Sequence, residues 1–139
     1  MLAIRKLKEG AGNLSLCEID TPVLGSSEVL IKVHAAGICG TDIKIMHGLT
    51  WSNPPVTLGH ELSGEIIKVA PDVTGLKPGD RVTSETAQII CGECYFCKTG
   101  DTLMCAKRLS IGYGTDGAMA NYIKVRKDIV HLLPDGMTL

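Results

Sequence analysis

Aromatic side chains are scarce in this sequence, with one Phe, one Trp and three Tyr among 139 residues. That is too few rings to stack bases on a binding surface. Charge of one sign is lacking as well: 14 Lys and Arg stand against 15 Asp and Glu, for a net charge of -1. The basic residues Arg5, Lys32, Lys77, Arg81, Lys107 and Arg126 are scattered, with no patch or stripe. No nucleic-acid partner is expected on these grounds. No apolar run approaches membrane-spanning length, and the opening MLAIRKLKEGAG holds no apolar stretch of signal-peptide length before its charges and glycines. The expectation is a soluble, cytoplasmic chain with no membrane partner. A chain of this length buries about two thirds of its unfolded surface as one domain, so it needs no disulfide staples.

What is present is short-period alternation. In Glu28-Val29-Leu30-Ile31-Lys32-Val33-His34, the residues Val29, Ile31 and Val33 share one face, as in a half-buried strand. Similar runs lie at 14–19, 63–69, 81–84 and 120–125, separated by the turn signals Thr21-Pro22, Asn53-Pro54-Pro55, Lys77-Pro78-Gly79-Asp80 and Pro134-Asp135-Gly136. Many short strands with such punctuation predict a mainly β barrel or sandwich. Two segments read as helical, 41–47 and 96–99, and neither is long enough to stand without packing or metal. There are no repeats, low-complexity runs or internal linkers.

Six cysteines in a compartment that keeps thiols reduced read as metal ligands and small core residues before disulfides. Cys91, Cys94, Cys97 and Cys105 form C-x2-C-x2-C-x7-C, which lets four soft sulfurs converge on zinc at about 2.3 Å. An iron-sulfur cluster is the main rival, but a ferredoxin run brings its fourth cysteine three residues on and follows it with Pro. Four thiolates fill every position of zinc, so this site is scaffold and not catalyst. Cys17 reads as a core thiol, and His34 and His131 as exposed or packing residues.

Cys39 in GICGTD and His60-Glu61 in GHELSG are each weak signals alone, since Cys39 could be a small buried hydrophobe and His60 part of a satisfied pair. Their order is informative: GICGTD, a Pro-rich loop, GHE, VTGLKPGDRV, then the four cysteines. This arrangement resembles the zinc-containing medium-chain alcohol dehydrogenases, in particular their polyol (sorbitol) and threonine dehydrogenase branch, across essentially the whole chain. The resemblance implies the N-terminal GroES-like catalytic domain, a partly open β-barrel with short helices, spanning 1–139, with residues 91–105 as a structural zinc lobe within it. It implies Cys39 and His60 as ligands of a catalytic zinc, with Glu61 either a third ligand or a carboxylate just behind the ligands. Asp42 would accept a hydrogen bond from His60 and so fix its tautomer. Thr41 would accept the substrate's proton and pass it on. Gly40 stands where many alcohol dehydrogenases carry a basic residue, which favours the polyol-like branch. Lys44 stands where a relay histidine often falls, and reads as a solvated lysine. His47 and Trp51 read as surface residues near the cleft.

One thiolate, one imidazole and one carboxylate leave zinc an open position, where an alcohol becomes more acidic and can release hydride to NAD or NADP. The implied function is oxidation of a secondary alcohol or polyol, by a full-length parent that would be a homo-oligomer. GYGTDG at 112–117 matches G-x-G-x-x-G, yet CAKRLSI precedes it and the strand-like AMANYIKV follows, so the dinucleotide fingerprint lacks its strand before and helix after. The reading is a glycine-rich loop leading into a strand, with no cofactor-binding residue in this chain. The nucleotide-binding Rossmann domain is expected to be absent and the 139 residues inactive alone. A zinc-stabilised binding module without catalysis is the alternative; one bound metal would favour the module and two the dehydrogenase domain. A zinc-free quinone reductase fits badly, because such relatives would lack both Cys39 and the cysteine lobe.

Overall fold

The alternation at Glu28–His34 becomes an interior strand of a sheet. The computed structural model describes residues 1–139. Its strands are β1 (Leu2–Lys6), β2 (Leu14–Glu18), β3 (Glu28–Gly37), β4 (Val56–Thr57), β5 (Glu61–Val69), β6 (Arg81–Ser84), β7 (Tyr122–Arg126) and β8 (Val130–Leu132); the helices are α1 (Gly40–Met46) and α2 (Tyr95–Thr99). A five-stranded sheet runs in the order β7-β3-β5-β6-β8 and a three-stranded one in the order β2-β1-β4, with every pairing antiparallel. This is the mainly β architecture with short helices that the turn-punctuated runs imply. No helix is long and apolar enough to cross a membrane.

The core follows from strand period. Val29 and Ile31 of β3, Leu62 and Ile66 of β5, Val82 of β6, and Ile123 and Val125 of β7 point to one side and pack with Ile111, Ala118 and Ile129. Removing each such side chain from water contributes roughly 1.5–3 kcal/mol, so this face decides the register of the larger sheet. The smaller sheet is attached through the bridge between Ala3 and Ala120 and the Ile4 N–H donating to Met119 O at 2.8 Å. A second cluster of Ile45, Val56 and Leu58, with Tyr113 and Met119 against it, lies under α1.

Three strands escaped the periodicity: β1, β4 and β8. In β1 the pattern is inverted, because Leu2 and Ile4 are exposed while Lys6 is buried. The Lys6 ammonium donates to the carbonyls of Gly10 and Gly12, which satisfies a cation that a hydropathy pattern places outside. Cys17 departs from its expected place in the core. It is half-buried on β2, the outer strand of the smaller sheet, where neither core cluster extends.

Candidate metal centre

Strand register builds the first cluster. Gly37, the last residue of β3, pairs with Glu61, the first of β5. Cys39 lies two residues beyond that pair on one strand and His60 one residue before it on the other, so the two sequence-distant segments meet at one end of the sheet. One ligand atom each from Cys39, His60 and Glu61 falls within a 4.8 Å group. Gly37 is required here for space. A Cβ on it would collide with Glu61 Oε2 and sit 3.1 Å from Glu61 Cβ, so the missing side chain is what lets the carboxylate lie over the end of β3. Neither the register nor this role of Gly37 has a signal in the motif spacing.

Asp42 ties the two halves together. It is buried, its Oδ2 accepts from Cys39 N–H at 2.9 Å, and its Oδ1 accepts from Gly59 N–H at 3.3 Å. The first bond closes the start of α1, with Cys39 as N-cap and Asp42 at its third position. The expected hydrogen bond from His60 is not formed. His60 Nδ1 lies 3.7 Å from Asp42 Oδ1 and is a buried nitrogen with no hydrogen-bond partner. The carboxylate is already engaged by two backbone N–H groups, so it faces the ring as a negative neighbour. With Nδ1 turned to Asp42, Nε2 is the nitrogen left for a metal. The Thr41 hydroxyl lies 3.7 Å from Cys39 Sγ. A thiol, an imidazole and a carboxylate within reach of one point are a donor set that fits a zinc ion.

The second cluster is self-contained. Cys91, Cys94, Cys97 and Cys105 are free thiols whose sulfurs approach at 3.5 Å (Cys94 to Cys97), 3.7 Å (Cys105 to Cys91) and 3.8 Å (Cys91 to Cys97). Sulfurs at about 2.3 Å from a tetrahedral zinc stand about 3.8 Å apart, so the spacing suits that ion. The thiols differ in acidity. Hydrogen bonds from the backbone N–H of Glu93 and then of Cys94 bring Cys91 down to about 6, while withdrawal from water and then the Cys94 side chain push Cys97 up to about 12. Four thiols at one point do not all ionise without a cation, and a metal ion there must displace protons to bind.

Residues 25–135 match the family model described as alcohol dehydrogenase GroES-like domain. The chain belongs to the zinc medium-chain alcohol dehydrogenase family, as its GroES-like domain. It is 43% identical over 137 residues to a sorbitol dehydrogenase of Halalkalibacterium halodurans, covering 99% of this chain and 40% of that protein. It is 45% identical over 122 residues to an L-threonine 3-dehydrogenase of Caldanaerobacter subterraneus, covering 85% of this chain and 34% of that one. Among solved structures it resembles a cobalt- and zinc-bound thermostable alcohol dehydrogenase from Pyrobaculum aerophilum, with a TM-score of 0.84 and 35% identity over 95% of this chain and 41% of that one. The chain thus spans about a third to two fifths of the length of the curated relatives.

The remaining histidines of this GroES-like domain, with Lys44 and Trp51, belong to neither cluster. Lys44, His47 and Trp51 are exposed on and after α1, His34 is exposed on β3, and His131 pairs with Glu85 at 2.8 Å. The Gly112–Gly117 segment is a turn with a bridge between Ile111 and Thr115, and the strand β7 follows it where a dinucleotide motif has a helix. Tyr113 carries no catalytic signal in the sequence, yet its ring meets His60 edge-on, with centroids 6.0 Å apart.

Proposed function

We propose that this domain is the zinc-bearing half of a dehydrogenase that oxidises a secondary alcohol or polyol, with Cys39, His60 and Glu61 holding the catalytic metal and Cys91, Cys94, Cys97 and Cys105 a structural one. The observation that carries the reading is the convergence of Cys39, His60 and Glu61 within 4.8 Å, apart from the complete four-cysteine cluster. Three protein donors leave a tetrahedral ion one open position, the arrangement of a catalytic site, whereas four thiolates leave none. Zinc there would supply Lewis acidity toward an alcohol oxygen, and a nicotinamide would supply the hydride acceptor.

The chain's own residues do the rest. Thr41, whose hydroxyl stands beside Cys39 Sγ, accepts the alcohol proton and donates its own onward, as a group that both donates and accepts can. Asp42 keeps Cys39 and the Gly59-His60 turn at fixed separation, and its charge beside Nδ1 favours the tautomer with its proton on that nitrogen. The 139 residues hold no strand-to-helix dinucleotide motif, so the nicotinamide would be brought by another domain, on the same or a different chain.

Similarity to sorbitol and threonine dehydrogenases supports a small hydroxylated substrate. The test is a chimaera that joins residues 1–139 to the nucleotide-binding part of the H. halodurans relative. Polyol-dependent reduction of NAD, abolished in Cys39→Ser and lowered about 100-fold or more in Thr41→Ala, is expected from loss of a proton-transfer group. A folded chimaera that carries two zinc ions, binds NAD and reduces none of it with any secondary alcohol would overturn the reading.

A further inference from the structure

The Gly112–Gly117 segment, GYGTDG, has no part in either metal cluster, although its motif is among the most conspicuous in the chain. From its last residue onward the backbone bonds to the residues that lead into His60. Gly117 N–H donates to Thr57 O at 2.9 Å, Ala118 N–H to Gly59 O at 2.8 Å, and Met119 N–H to Leu58 O at 2.8 Å. Asp116 Oδ1 accepts from Thr57 N–H at 2.7 Å. The approach is closer than side chains permit. A Cβ on Gly117 would collide with Gly59 O and lie 2.5 Å from Gly112 Cα and 2.6 Å from Leu58 O, and one on Gly112 would lie 2.6 Å from Gly59 O. These are backbone atoms within hydrogen-bonded segments, with little room to yield. Gly59 itself has φ +90°, a conformation open to glycine, so the turn into His60 is fixed from both sides.

Between the two glycines the loop carries one ring. Tyr113 meets His60 at 87° with centroids 6.0 Å apart, and packs on the cluster of Ile45, Val56 and Leu58. Its carbonyl accepts from Asn53 N–H at 2.7 Å, which fixes the backbone that bears the ring. His60 is thus bounded by the Asp42 carboxylate at Nδ1 and by the Tyr113 ring.

We propose that the GYGTDG loop is a positioning device for the metal-binding histidine. Tyr113 is a positioning residue that holds the His60 ring in one rotamer, and Gly112 and Gly117 are small so that the loop can come close enough to do it. This rests on the reading of His60 as a zinc ligand. An edge-to-face pair contributes roughly a 2- to 12-fold preference for the geometry that keeps it, and loss of an orienting neighbour typically weakens a metal site by about 10- to 100-fold. Tyr113 carries the contact through its ring, so its hydroxyl is dispensable.

Two measurements on the folded 139-residue chain test this. Cobalt(II) is titrated into the unmodified chain, Tyr113→Ala, Tyr113→Phe and Gly117→Ala, and the three-bond couplings that report χ1 of His60 are measured by NMR without metal. Tyr113→Ala should bind its first cobalt in the cysteine lobe as before and its second about 10-fold more weakly, with His60 couplings moving from single-rotamer to averaged values. Tyr113→Phe should restore both, since the ring and not the hydroxyl makes the contact, whereas Tyr113→Leu, which refills the space over Ile45, Val56 and Leu58 without a ring, should leave the His60 couplings averaged. Gly117→Ala should lose the second cobalt, and if it does so by unfolding, Tyr113→Ala still decides. Unchanged second-site affinity and an unchanged single rotamer in Tyr113→Ala would overturn the proposal while leaving the ligand reading intact. An unmodified chain that takes only one cobalt would sink the ligand reading, and the His60 couplings would still decide the positioning role: averaged in Tyr113→Ala they support it, single-rotamer they overturn it.

Discussion

Asp42 is a carboxylate with two obligations, to the Cys39 N–H and to the Gly59 N–H, and both are backbone groups next to candidate ligands. Asp42→Asn replaces one accepting oxygen by an N–H2 facing a donor, so the spacing of Cys39 and His60 relaxes. Affinity for the metal of this cluster should fall by about 10- to 100-fold, while zinc in the cysteine lobe is retained, as competition with a chelator would show. Gly37 allows a cleaner separation of site from fold. In Gly37→Ala the added methyl meets the carboxylate end of Glu61, which can swing away, and crowds only its Cβ at 3.1 Å, so the carboxylate is displaced with a small adjustment of the strand end. The expected outcome is weaker metal binding at the Cys39 cluster with a thermal midpoint close to that of the unmodified chain; equal affinity would remove Glu61 from the ligand set. At this scale the sequence was informative about types and silent about partners. Cys39, His60, Glu61 and Asp42 were named from motifs, but Gly37 and Tyr113 act through register and close approach, which no single-sequence pattern displays. The Asp42 carboxylate accepts from the Cys39 and Gly59 N–H groups and not from His60, an exchange of partners that the motif does not display.

At the scale of elements, the cysteine lobe and the β-sheet are held by different forces. In the lobe only Cys105 is buried, and α2 has five residues, too few to persist without external support. Its order therefore depends on metal, and structural zinc contributes about 10–16 kcal/mol in small peptide sites near neutral pH. Hydrogen exchange on Cys97→Ser should show protection lost across 91–105 and kept in β3 and β5; protection retained in the lobe would contradict a structural zinc there. A second tie between elements is acid-sensitive. Asp72, after β5, accepts from Ser27 N–H at 2.9 Å and from the hydroxyls of Ser26 and Ser27 at 2.7 Å each, just before β3. The Ser27 backbone bond, ahead of the hydroxyl bonds, holds its carboxyl well below the usual carboxylate range, and the Lys77 side chain lowers Asp80 similarly. A lowered folded-state pKa makes the contribution complete above the unfolded value of about 3.9 and lost as pH falls through the folded value. Thermal stability should therefore decline below about pH 4, and less steeply in Asp72→Asn; an identical acid slope in the variant would rule this out.

Across the whole molecule, the legible parts are those where chemistry repeats in the chain. Short alternating runs mark β2, β3, β5, β6 and β7, and cysteine spacing marks the lobe. The mainly β class followed from turn residues. What stayed hidden depends on distant partners. β1 reads against its hydropathy because Lys6 is satisfied by carbonyls of Gly10 and Gly12, and β4 is two residues long and exists only as a neighbour of β1. The flanks of the G-x-G-x-x-G letters predict a strand after them, and β7 follows, whereas their packing on Thr57–Gly59 needed the fold. One GroES-like domain would then carry two zinc sites of different kind, one closed by four sulfurs and one open. Zinc per chain after dialysis, in the unmodified protein, Cys39→Ser and Cys97→Ser, tests it most directly. Two ions in the unmodified chain and one in each variant is the result expected, with the fold of β3 and β5 intact in Cys39→Ser. One ion in the unmodified chain in the presence of excess zinc, unaltered in Cys39→Ser, would contradict it.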